Sequence, residues 1–188
     1  MRIRTLTAVR LLGCCLLTAA STFSLAQAAP AKPAVGSAIA PAQVYGSLLS
    51  SIEKEFVGAA EAMPEDKYSF APAATMGEFK GVRTFAAQVK HVTEANDYFF
   101  HDPSKPPVDN RKEIDALTTK ADILKALNDS FAQAHAYIDA ITPENAFIQT
   151  ASGTRAGQAS LGIAHMLDHY GQMVEYLRMN GIVPPASR

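Results

Sequence analysis

Across residues 43–63 the apolar side chains Tyr45, Leu48, Leu49, Ile52, Phe56, Ala59, Ala60 and Met63 recur in steps of three and four. That spacing gathers them on one side of an α-helix, and Pro64 ends it. A second stretch, residues 81–100, sets Phe85, Val89, Val92, Asn96 and Phe99 on one face with His91 at its edge, until DPSKPPVDN at residues 102–110 stops it. The third, residues 120–141, places Leu124, Leu127, Phe131, Ala134, Ile138 and Ile141 in alternating steps of three and four, the seam of a bundle helix. A connection containing Pro143 and Gly153 leads to a fourth helix over residues 156–180, with Gly181 placed as its C-terminal cap and Pro184-Pro185 forbidding continuation. No segment of four to eight residues alternates like a strand. The pattern therefore predicts an all-α domain, and a four-helix bundle buries four such stripes economically. In the long connection after Pro64, Tyr68 and Phe70 are expected to fold back onto the end of the bundle.

The two ends of the pattern frame this domain. Residues 1–28 run from Arg2, Arg4 and Arg10 through a short apolar stretch to Ala26-Gln27-Ala28, the order of a secretory signal peptide. Cleavage is expected after Ala28, which makes the protein exported, periplasmic or secreted. The apolar stretch is shorter than the roughly 20 residues a stable bilayer anchor needs, so no membrane insertion is expected. Leu12-Gly13-Cys14 has a partial likeness to a lipoprotein cleavage box, but a cut there would leave almost no apolar segment after Arg10. Residues 29–41, rich in Pro and Ala without periodicity, read as a flexible linker, and residues 42–185 as the bundle domain.

Charge and thiols narrow the chemistry. The chain has 17 basic and 18 acidic residues; three of the basic ones leave with residues 1–28, so 14 stand against 18, a formal charge of −4. Such a surface has no general affinity for phosphate backbones, and no nucleic-acid partner is expected. Both cysteines, Cys14 and Cys15, lie in the segment to be removed. Thiolate catalysis, disulfides and cysteine-held zinc are thereby excluded, and any metal must be held by nitrogen and oxygen.

Nitrogen donors are present in a suggestive pattern. His165 and His169 are four residues apart on the fourth helix, one above the other, with Cβ atoms about 5 to 6 Å apart. Gln158, Gln172 and Tyr176 share their stripe. A third ligand must come from elsewhere, and His91 is the best candidate, with His135 beside the seam of the third helix as a competitor. Glu94, one turn after His91, is a possible carboxylate ligand. Asp168 points toward solvent, where it is either a plain helix acid or an outer acceptor for a ligand N–H. His101, beside Asp102-Pro103, reads as a structural helix-end residue.

Three segments, MPEDKYSF at residues 63–70, TFAAQVKHVTEANDYF at 84–99 and HMLDHYGQMVEYLRMNGIVPP at 165–185, together resemble the DinB-like proteins, the DinB/YfiT superfamily. The likeness spans essentially the whole domain, and the C-terminal block is its most specific part. It implies a four-helix bundle of up-down-down-up topology, a homodimer, and a divalent metal held by three histidines. Carried over position by position, those are His91, His165 and His169. Three neutral imidazoles with water in the open positions suit zinc or nickel, ahead of iron or manganese. The superfamily includes transferases and isomerases that use mycothiol or bacillithiol in the cytoplasm. The expected signal peptide sets this chain apart from them.

Two functions fit these expectations. In the first the protein is a metal-dependent transferase or hydrolase of an unknown small molecule, with the ion acidifying a bound water or thiol and polarising the acceptor. Gln172 or Tyr176 would orient the substrate, and Tyr68 and Phe70 would close the pocket mouth. In the second it is a non-catalytic exported metal- or ligand-binding module, and chelation lowers its melting temperature if the ion is structural. A di-iron carboxylate site is excluded, because Glu-x-x-His pairs are required and Gly162 and Met166 stand where those glutamates belong.

Overall fold

Every one of the four apolar stripes becomes a long helix in the computed structural model, which describes residues 32–188. They are α1 (Pro41–Ala62), α2 (Phe85–Phe99), α4 (Lys120–Asp139) and α5 (Arg155–Met179), with a single-turn helix α3 (Arg111–Asp115) in the second connection. The expected signal peptide and the first linker residues lie outside the described residues. From Lys32 to Ala40 the backbone forms neither helix nor strand and is exposed. No helix among the described residues is long and apolar enough to cross a membrane.

Local chemistry sets the helix starts. Thr84, Thr119 and Thr154 each take an extended backbone and accept from the amide three residues on, at Ala87, Asp122 and Gly157. Each satisfies one of the donors a helix leaves unpaired at its start. The start of α1 instead uses Pro41, which has no amide hydrogen to lose there. At the far end of α5, Gly181 has φ of 72°. It donates to the Arg178 carbonyl and Ile182 donates to that of Leu177, a paired closure that needs a left-handed residue at this point.

Packing places α1 and α2 at opposite corners, each against both α4 and α5. The core between them includes Leu49, Phe56, Phe85, Phe100, Leu127, Phe131, Met166, Met173 and Leu177, all essentially inaccessible. Phe56 meets Phe131 with ring centres 6.4 Å apart, and Phe100 meets Tyr137 at 5.6 Å. Asn96, expected on the apolar face, is fully buried there and donates to Ser130 Oγ at 3.0 Å. Where α5 passes the end of α2, Gly162 lies so close that an added Cβ would stand 2.5 Å from Phe100 Cζ.

Differences from the expected elements are local. Helix α2 begins at Phe85 rather than Gly81, because Gly81 takes a φ of 80° and Thr84 caps the helix. Leu48, at the edge of the first stripe, is 51% exposed. A two-residue antiparallel pair, β1 (Gln149–Thr150) with β2 (Gly153–Thr154), is too short to show as alternation. The connection after α1 does fold back: the carbonyls of Tyr68 and Phe70 accept from Ala86 and Phe85, satisfying amides at the start of α2.

Candidate metal centre

Helices α2 and α5 are neighbours, and a face of each supplies imidazoles to the space between them. His165 and His169, one turn apart on α5, meet His91 of α2. The Nε2 atom of His165 stands 3.2 Å from that of His91 and 3.2 Å from that of His169. One nitrogen of each ring lies within 4.8 Å of the other two, so the three residues could hold a metal ion. The rings meet edge to face, with centres 4.5 to 5.0 Å apart. Phe99, at the end of α2, packs beside His165 at 5.6 Å.

The donor set fits a cation on its own chemistry. Zinc–imidazole bonds of about 2.0–2.1 Å place neighbouring donor nitrogens about 2.9–3.4 Å apart for octahedral to tetrahedral angles, and the two separations from His165 Nε2, to His91 and to His169, fall in that interval. Burial, assisted by Arg83 and His165, pulls the His91 pKa down to about 4. Burial and the two neighbouring rings bring His169 to about 4 as well, and burial lowers His165. All three rings are therefore neutral at pH 7, the form that binds metal. Gln88 Oε1 lies 2.7 Å from His169 Nδ1. An amide oxygen only accepts, so Nδ1 carries the proton and Nε2 a lone pair. With one ring so fixed, the neutral triad has too few protons at Nε2 to satisfy both 3.2 Å contacts. A cation relieves that crowding of lone pairs.

The remaining candidates separate clearly. Glu94 Oε2 is 4.0 Å from His91 Nδ1, the ring nitrogen other than the one facing the cluster. Its pKa is raised, first by burial and then by Asp115. His135 bonds Glu53 at 2.7 Å and takes no part. His101, nearly buried, contacts the Tyr98 carbonyl at 2.6 Å and Ser152 Oγ at 3.0 Å, tying the β1–β2 turn to the end of α2. Asp168 reaches no ligand directly but accepts from Gln172 at 3.1 Å. Tyr176 donates to the Arg83 carbonyl at 3.1 Å, and Tyr68 is buried with its hydroxyl on the Ala60 carbonyl at 2.7 Å. Gln172, Tyr176 and Tyr68 are thus engaged within the protein.

Sequence reasoning missed Gln88, which is 2% exposed and bonds both His169 and Gln172. The available signal was a polar residue one turn before His91 on the same helix.

A cleft of ≈ 680 Å³ opens beside the cluster, lined by His91, His165, Glu94, Phe99, Val108 and Arg83 among others. A second, of ≈ 730 Å³, is lined by Gln88, Gln172 and Tyr176, and Arg83 borders both. Among the described residues the Arg83 guanidinium has no ion-pair partner.

No curated protein matches the chain in sequence. A family model described as the DinB superfamily matches residues 48–173. The match takes in His91, His165 and His169 and covers well over half of the chain, all four long helices included in whole or in large part. A helical bundle whose second and last long helices bring three histidines together, matched over that length, belongs to the DinB superfamily.

Proposed function

We propose that His91, His165 and His169 hold a divalent ion, zinc or nickel ahead of iron or manganese for an all-imidazole donor set. On this reading the protein is exported and is a metal-dependent transferase or hydrolase of a small molecule that enters the cleft beside His91 and His165. The observation that carries it is the meeting of three imidazole nitrogens, with the rings of His91 and His165 lining that ≈ 680 Å³ cleft and His169 buried behind them. An ion held there supplies a Lewis acid that polarises the group under attack.

The chain's own residues account for the rest. Arg83, exposed on the cleft wall, takes an anionic group of the substrate. Arg111 on the same wall is already engaged by Asp109, with contacts of 2.9 and 2.6 Å. Tyr98, Phe99, Pro107 and Val108 offer an apolar side. Glu94, with its pKa raised by burial, is placed to accept or return a proton at its carboxylate.

Elemental analysis of purified mature protein tests the centre: metal should be present in the wild type and lost from the variant His91→Ala, His165→Ala, His169→Ala. Metal content untouched by that change refutes the assignment. Cobalt-loaded protein should change its visible spectrum when small carboxylates or thiols are added, less so for carboxylates in Arg83→Gln. A spectrum indifferent to every such ligand would leave a non-catalytic binding module. Mass spectrometry of the cellular protein should find a chain beginning at Ala29, and an intact chain retaining residues 1–28 would refute export by this segment.

A further inference from the structure

His169 is 6% exposed, and a run of side-chain amides connects it to the surface. Its Nδ1 donates to Gln88 Oε1 at 2.7 Å. Gln88 Nε2 donates to Gln172 Oε1 at 2.7 Å, and Gln172 Nε2 donates to Asp168 Oδ2 at 3.1 Å. The run joins two helices by ordinary helical spacing. Asp168 and Gln172 are four apart on α5, as are His165 and His169, while Gln88 precedes His91 by three on α2.

This run has a direction. A side-chain amide has one accepting edge and one donating edge, so the partner on one side dictates what is offered on the other. An ionised carboxylate only accepts. Asp168 therefore takes the nitrogen edge of Gln172, whose oxygen edge takes the nitrogen of Gln88, whose oxygen is left for His169. Reversing Gln172 alone would set oxygen against oxygen at Asp168 and N–H against N–H at Gln88, and reversing Gln88 alone would set oxygen against oxygen at Gln172. Gln88, almost completely buried, would make that mismatch costly, since a buried polar group without a partner is destabilising.

We propose that Asp168 sets the tautomer of His169 through Gln172 and Gln88, keeping the proton on Nδ1 so that Nε2 offers its lone pair to the centre shared with His91 and His165. Asp168, Gln172 and Gln88 are positioning residues. The importance of the inference rests on the metal-binding reading, but the tautomer itself is readable without metal.

The experiment uses chelated, ¹⁵N-labelled protein at pH 7 and long-range ¹H–¹⁵N correlations of the imidazoles, with zinc affinity measured separately by competition with a chromophoric chelator. In the wild type, His169 should be protonated at Nδ1 and bare at Nε2. Gln88→Met removes the acceptor, should move the proton toward Nε2 and should weaken zinc binding about 10–100-fold, as loss of an outer partner of a metal-bound histidine typically does. Asp168 is exposed, so its variants keep the test open even if Gln88→Met fails to fold. Asp168→Ala should shift tautomer and affinity in the same direction by less, and Asp168→Asn, whose amide can present either edge to Gln172, should fall short of the wild type in both. A wild-type His169 protonated at Nε2 overturns the proposal, as does a tautomer unmoved by both Gln88→Met and Asp168→Ala. An Nδ1-protonated His169 that responds to these variants in a protein that binds no zinc would uphold the relay while removing the metal-binding reading.

Discussion

A histidine becomes a ligand only when its surroundings choose which nitrogen keeps a lone pair, and at this scale the spacing of His165 and His169 told half of the story. Two rings one turn apart on a helix follow from four residues of separation. The residues already favour His91 as the third candidate, and family likeness sets it further above His135, which satisfied the same edge-of-seam criterion and is instead bonded to Glu53. Gln88 offered only its place one turn before His91, too weak a signal by itself because a lone glutamine carries no signature of its own. Its meaning comes from α5, more than 80 residues away. Gly162 is another such residue, unremarkable in sequence and decisive in space. Gly162→Ala would drive a Cβ to 2.5 Å from Phe100, which is itself buried and unable to swing clear. A loss of about 1–3 kcal/mol is expected in urea unfolding, the usual cost of overpacking, and an unchanged midpoint would show that α5 can move away freely.

Among elements, the four stripes were readable because three-and-four periodicity survives any packing partner, and each long helix begins and ends within a few residues of its expected bounds. The short pieces α3, β1 and β2 were not. A single turn or a two-residue pair contains less than one period of any pattern, so its existence is decided by tertiary contacts such as the His101 bond to Ser152. The repeated threonine caps offer a clean test at this scale. Thr119 is exposed, and its hydroxyl both accepts from the Asp122 amide and donates to the Asp122 carboxylate at 2.7 Å. Thr119→Ala should lower stability by about 1 kcal/mol, measured as a shift in denaturation midpoint, and Thr119→Ser should restore most of it.

For the whole molecule, the neutral imidazoles couple stability to pH. In the metal-free protein His91 and His169 have pKa values of about 4, against roughly 6.5 in an unfolded chain. Between those values the unfolded chain binds more protons than the folded one. The contribution to stability is therefore complete above about pH 6.5 and is lost as the pH falls toward 4. Chelated protein should accordingly show a lower urea midpoint at pH 5 than at pH 7, and the difference should shrink in the variant lacking all three histidines. An equal drop in that variant would place the pH sensitivity elsewhere.

The connectivity of the centre has a mechanical consequence for the molecule. His91 and His165 are separated by 74 positions along the chain, and the intervening stretch holds all of α3, α4 and the β1–β2 turn. An ion gripping both would convert that stretch into a closed ring. By the relation used for covalent cross-links, such closure withholds disorder from the denatured chain worth on the order of 4 kcal/mol. A protein so clasped should resist a serine protease far longer with its ion than after chelation, and readdition of zinc should restore the longer half-life.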